Sequence, residues 1–471
     1  PEIFTKILFC SGAKSLSDYT LEIDQFLKRL FPVCRSVTGQ GNRETLRILQ
    51  EIVSLQTIEY PSGAPVFDWV IPSEWEIRNA YIQNESKERL IDFRNSNVHV
   101  MSYSQPVREK MKLDKLKLHL HYREDFPDAI PYRTSYYKKS WGFCLSFNQF
   151  KKIQKDGGPF EVFIDSSFKQ DGSMTIGEFL IQGKNKKEIL ISTYFCHPSL
   201  ANDNLSGFLL TAFLAKELSA RKNLNYSYRI IFVPETIGAI GYCAMNEKAM
   251  RSIDTGLVVT CVGGPGKYGY KQSFDKNHYV NDLIQDVFRE EGIKYITYPF
   301  DIHGSDERQY SSQGFRINVA TICRDKYYEY PFYHTSLDNL DFVKAEHINK
   351  SLDLYLKLVD KLDTYQGTYE PSLNFSEENF GSSLSPIYKN IFPNCEVMLS
   401  KHGLYPDTGG GMLPGQNTEE ELNIILSLLF YCDGKRTIAS ISKELAIPLN
   451  AVKAIGSKLE KKGILERTES V

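Results

Sequence analysis

The chain has 471 residues, 42% of them hydrophobic and 24% charged, with a formal net charge of −2. That length exceeds one ordinary core and calls for two or three domains, and the near-neutral balance offers nothing at whole-chain level to draw it to nucleic acid or an anionic surface. No run approaches the roughly 18 consecutive apolar residues of a membrane-spanning helix, so a membrane partner is not expected.

The start, "PEIFTKILFCSGAKS", lacks the apolar length and small-residue cleavage site of a secretory signal. The 9 cysteines are scattered, odd in number and free of any CxxC pair. A stapled secreted scaffold shows the opposite pattern, so reduced thiols and a cytoplasmic location are expected.

From Leu21 to Ile52, apolar residues recur at helical spacing around the loop "RSVTGQGN". Residues 1–60 are read as the first part of a core domain. Pro61, Pro65 and Pro72 then break the helical pattern. The short runs "AYIQN", "RLIDFRN" and "NVHVMSY" predict an inserted β-rich module over 61–150, with Trp69, Trp75 and Trp141 as its expected core.

Over 151–365, strands alternate with helices, the pattern of an α/β layered domain. "EILISTYFCH", "YSYRIIFVPET", "TGLVVTCVGG" and "RINVATICRD" are near-continuous apolar runs, as expected of strands covered on both faces. A polar stretch at 366–415, ending in "PDTGGGMLPG", reads as a linker. Three short amphipathic segments and the strand-like "ILER" over 416–471 predict a winged helix-turn-helix. There Glu419, Glu420, Glu421, Glu444, Glu460 and Glu466 offset Lys453, Lys458, Lys461 and Lys462, so nucleic acid is not the expected partner. A protein contact or homo-oligomer is the favoured role.

Chemistry gathers where the α/β strands end, the usual ligand edge of such sheets. "TYFCHPSLANDNLSG" carries His197 and Asp203; "VPETIGAIG" carries Glu235; "HGSDERQYSSQG" carries His303, Asp306, Glu307 and Arg308; "YPFYHTSLDNLDFV" carries Tyr333, His334 and Asp338. Imidazole and carboxylate are ligands that suit zinc. His197, Asp203 and His334 are the expected metal ligands, and Glu235 the general base for a water on the ion. Asp306, Glu307, Arg308 and Tyr333 are candidate substrate contacts. Cys196, adjacent to His197 on a strand, is expected to face the opposite way and be buried. For one shared centre, the rings of His197 and His334 must lie within about 8 Å.

"CHPSLANDNLSG", "VPETIG" and "YHTSLDNLD" together resemble the co-catalytic zinc aminopeptidase superfamily. The resemblance spans about residues 160 to 362. It implies a phosphorylase/hydrolase-like three-layer α/β core with a mixed sheet, His197 and His334 as terminal ligands, Asp203 as the bridge between two zinc ions, and Glu235 as the base. The whole layout, with its inserted β module and C-terminal winged helix, also looks like a bacterial group of aminopeptidase-like proteins. Two positions depart from the pattern. Thr236 stands where a second Glu ligand is implied, and the region around Thr260 lacks the remaining carboxylate. Either a single ion is held by His197, Asp203 and His334, the favoured reading, or Asp306 or Glu307 fills a gap. The implied activity is amide hydrolysis, on a peptide or an amide-bearing small molecule. The alternatives are a deacylase acting on a sugar or metabolite and a non-catalytic regulator using the winged helix.

Overall fold

A computed structural model describes residues 18–302, 304–367, 369, 385–404 and 420–468. His303, the "PDTGGGMLPG" joint, Glu419 and most of the expected linker lie outside the described residues.

The central sheet has eight strands. In spatial order they are Gln56–Pro61, Ser173–Ile181, Ser227–Val233, Glu188–Tyr194, Thr255–Val258, Asn318–Arg324, Tyr268–Lys271 and Tyr295–Tyr298. The four in the middle run parallel, while Gln56–Pro61 and Ser173–Ile181 pair antiparallel at one edge. Tyr268–Lys271 is antiparallel to Asn318–Arg324, so the sheet is mixed. Every residue of Ser227–Val233 is buried, which requires cover on both faces and explains the unbroken apolar run.

One face is covered by the helices Thr20–Leu30, Gly207–Ser219, Tyr279–Glu290 and Ala345–Thr364. Phe208, Phe213, Ile284, Leu352 and Leu358 pack there against Ile191, Ile230 and Leu257. The other face is covered by the helix Ile237–Met245 with Tyr60, Ile71 and Tyr310. The result is the three-layer α/β core, with a mixed sheet.

The inserted module carries its own four-stranded sheet, ordered Arg89–Asp92, Glu74–Gln83, Phe160–Lys169 and Val107–Met111. Its third strand comes from beyond residue 150 and runs antiparallel to Glu74–Gln83. The helix Phe147–Asp156 packs Phe150 and Ile153 onto Ile82, Ile91 and Val162. A reciprocal Ser146–Gln149 capping box starts that helix, and Gly157, at φ 78°, ends it in the left-handed conformation that glycine tolerates best. Trp75 stacks on Tyr103 and Trp141 on His119, while Trp69 donates its indole N–H to the Glu396 carbonyl at 2.7 Å.

Three helices, Glu420–Tyr431, Ile438–Leu445 and Leu449–Lys461, form the winged helix with a three-stranded sheet. The central strand of that sheet is Ile387–Asn390, supplied from ahead of the helices. Gln313 of the core donates its amide N–H groups to the carbonyls of Leu429, Phe430 and Cys432, at 2.9–3.2 Å. Those carbonyls belong to a helix end and its flank, where intrahelical partners run out. The winged helix is therefore docked on the core. No helix among the described residues is long and apolar enough to cross a membrane.

Candidate active site

Strand Glu188–Tyr194 delivers His197, and the kinked segment Ala201–Ser206 that follows delivers Asp203. Strand Ser227–Val233 delivers Glu235. His334 comes from the long turn after Asn318–Arg324. The carboxyl ends of parallel strands thus converge on one edge.

The ring centroids of His197 and His334 are 5.5 Å apart, well inside the 8 Å limit set from the sequence. Asp203 Oδ2 lies 3.9 Å from His197 Nε2 and 3.1 Å from His334 Nε2. One ligand atom from each of the three falls within 4.8 Å of the others, and all three residues are buried. Among the described residues, Asp203 Oδ2 and both ring nitrogens of His334 are buried without a hydrogen-bond partner. Unsatisfied groups of this kind are costly unless a ligand meets them. Burial pushes His197 down to about 4, so near neutrality it is the uncharged imidazole that ligates metals. The donor set therefore suits a divalent ion such as zinc.

The supports come from distant parts of the chain. Asp338, fully buried, accepts the backbone N–H groups of Asn202 at 2.7 Å and Asp203 at 3.0 Å, and the Tyr330 hydroxyl at 2.9 Å. Arg35, also fully buried, donates to the His197 carbonyl at 3.0 Å. Tyr132, on a loop of the inserted module, donates its N–H to the His334 carbonyl at 2.8 Å and sets its ring 5.1 and 5.4 Å from the two imidazoles.

Glu235 Oε2 is 3.7 Å from His197 Nε2, and its Oε1 accepts the Ser305 hydroxyl at 2.7 Å. Burial, and then the negative charge of Asp203, pushes this carboxyl up to about 7. Cys196 is buried, its sulfur accepting the Glu235 N–H at 3.2 Å.

A cavity of about 780 Å³ opens onto His197, Glu235 and His334. The module contributes Tyr132, Tyr136 and Tyr137 to its wall, and the winged helix contributes Glu396, Met398 and Lys401, from between its strand Ile387–Asn390 and its first helix. Trp69 lines the cavity as well, a position its expected core role did not anticipate.

Of the four candidate substrate contacts, Arg308 lines this cavity, with Nη2 3.1 Å from Glu396 Oε2 and 3.5 Å from Thr236 Oγ1. Asp306 lies behind the wall, where it accepts the Thr236 N–H at 2.7 Å. Glu307 is bound by Lys271 at 2.8 Å and Tyr327 at 2.7 Å, in a buried ion pair. Tyr333 is buried and stacks on His334 with ring centroids 3.9 Å apart. The sequence did not point to Ser305, Arg35, Tyr132 or Glu396. Only the run of small polar residues around Ser305 hinted at a turn beside a site.

The chain shares the zinc aminopeptidase fold. A zinc aminopeptidase from Bacillus subtilis superposes with a TM-score of 0.56 at 12% identity, over 76% of this chain and 98% of that one. An M28 peptidase precursor from Shewanella amazonensis gives a TM-score of 0.53 at 11% identity, over 75% and 98%. A crystal structure from Clostridium acetobutylicum, provisionally named a peptidase, gives 0.71 at 37% identity, over 95% and 96%. A relative from the same organism is 39% identical over 445 residues, 94% of this chain and 96% of its own. It is provisionally named a polysaccharide biosynthesis protein with aminopeptidase-like domain. Residues 386–467 match the winged helix-turn-helix family. Residues 24–365 match the family described as a domain of unknown function, DUF4910, and the chain belongs to that family.

Proposed function

We propose that the chain is a metal-dependent hydrolase of amide bonds, of the aminopeptidase type, holding one zinc ion through His197, Asp203 and His334. The observation that carries this is the convergence of Asp203 Oδ2 and the His334 nitrogens, buried without hydrogen-bond partners, beside His197 and at the floor of a cavity. An ion bound there supplies Lewis acidity to the scissile carbonyl and to the attacking water. Glu235 receives the water's proton at Oε2 while Ser305 fixes Oε1, and the proton then passes to the departing amine nitrogen as the C–N bond breaks. Burial raises the affinity of Glu235 for a proton, the direction that suits a group that takes a proton and hands it on. Asp338 and Arg35 hold the ligand-bearing backbone, as partners behind a metal site do.

One observation favours a second substrate class. The cavity wall carries Trp69, Tyr136 and Tyr137, and the Clostridium relative's name places that protein in polysaccharide biosynthesis. An N-acyl sugar is the alternative amide. Hydrolysis of a panel of amino-acid amides, dipeptides and N-acyl sugars separates the two. Turnover of peptides alone removes the sugar reading, and no metal-dependent turnover of any amide removes both.

The winged helix acts in this reading as a fixed wall of the cavity rather than as a nucleic-acid reader. Support comes from the Gln313 clamp and from Glu396, whose carboxylate accepts from Gln309 at 2.9 Å.

A further inference from the structure

The two oxygens of Asp203 have different surroundings. Oδ2 faces His197 and His334 without a hydrogen-bond partner among the described residues. Oδ1 accepts the hydroxyl of Tyr194, whose oxygen also shares a hydrogen bond with Thr260 Oγ1 at 2.7 Å. Tyr194 is 1% exposed and Thr260 0%, so neither can turn away without opening the core. A carboxylate that bridges two ions through both oxygens offers a lone pair from each to a cation. Here Oδ1 already accepts the phenol proton of Tyr194, which stands on the side a second ion would take.

The two positions where further carboxylates were implied reinforce this. Thr260 supports Tyr194, and Thr236 Oγ1 lies 3.5 Å from the cationic Arg308, a poor neighbour for another ion. Resting on the metal-hydrolase reading above, we propose that Tyr194 and Thr260 fill the place of a second ion, leaving a centre for one divalent cation per chain with Asp203 as a one-oxygen ligand. Tyr194 is then a positioning residue. By occupying Oδ1 it aims Oδ2 between the two imidazoles.

The test uses the full chain, stripped with a chelator and titrated with Co²⁺, with visible absorption and elemental analysis as readouts and anomalous scattering to place the metal. The proposal expects saturation at one equivalent and a single peak on the Oδ2 side of Asp203. Two equivalents, with a second peak against Oδ1, overturn it and the count of one ion, while leaving metal-dependent amide hydrolysis itself intact. No retained cobalt overturns both. A variant carrying Tyr194→Phe and Thr260→Asp removes the phenol and restores a carboxylate, and is expected to move the endpoint from one equivalent to two. A double variant with unchanged far-ultraviolet circular dichroism that still saturates at one equivalent contradicts the role given to the pair.

Discussion

Asp338 holds Asp203 by its backbone, not its side chain. One carboxylate oxygen accepts the Asp203 N–H at 3.0 Å and the other accepts that of Asn202 at 2.7 Å. The Asp203 carboxylate is thereby aimed while its Oδ2 stays free of hydrogen bonds for a ligand. Asp338→Asn replaces one of these acceptors with an N–H donor that opposes a backbone N–H. Zinc affinity, measured by competition with a chromophoric chelator, is expected to fall about 10- to 100-fold, as for other partners behind metal ligands.

Glu235→Gln keeps the shape of the side chain and its contact with Ser305 but cannot take up a proton. The expected outcome is a loss of about 10²- to 10⁴-fold in kcat on the best amide substrate, with metal content unchanged. A parallel loss of bound metal would show that Glu235 acts as a ligand instead of a base.

Gln309 joins the turn bearing Arg308 to the cavity's outer wall. Its side chain donates to Glu396 Oε2 at 2.9 Å and accepts the Glu396 N–H at 2.9 Å. Gln309→Ala removes both bonds, each worth about 0.5–1.5 kcal/mol. Unfolding stability is expected to drop by about 1–3 kcal/mol, and KM to rise more than kcat falls, because the wall loosens while the His197–Glu235 geometry stays.

Acid stability has a named source where the core helix Gln40–Leu49 meets the inserted module. Hydrogen bonds from Arg43 hold Glu74 down at about 2 against an ordinary value of 4.5, with burial opposing. A depressed carboxylate stabilises the fold above its unfolded pKa, so this contribution is present above about pH 4.5 and is lost as pH falls toward 2. Solvent screens this partly open pair, so the contribution is about 1 kcal/mol. In urea unfolding, Glu74→Gln is expected to be weaker than the parent at pH 7 and to lose correspondingly less stability between pH 5 and pH 2.

The three residues that converge, His197, Asp203 and His334, were legible because each stands just past a strand or inside a short polar loop, where nothing in local structure needs a His or an Asp. Glu235 was legible for the same reason, at the end of "YSYRIIFVPET". The parallel strands announced themselves through unbroken apolar runs such as Ser227–Val233, buried along their whole length. What stayed hidden is what tertiary contact creates. Tyr194 reads as one more strand aromatic until its hydroxyl meets Asp203, 9 residues on. Tyr132 lies 65 residues from His197 in sequence and reaches the site only because a module loop folds back over it. Glu307 reads in the sequence as a candidate substrate contact, and only the fold reveals its buried partner Lys271, 36 residues away. The strand Phe160–Lys169 alternates like any half-buried strand, and its pattern does not say which of two sheets it will join.

The most direct measurement is the rate of amide hydrolysis by the full chain, stripped of metal and then reloaded with zinc. Turnover should vanish on stripping and return as zinc approaches one equivalent per chain. Hydrolysis that persists unchanged through stripping, or that never appears with any amide after reloading, contradicts the account.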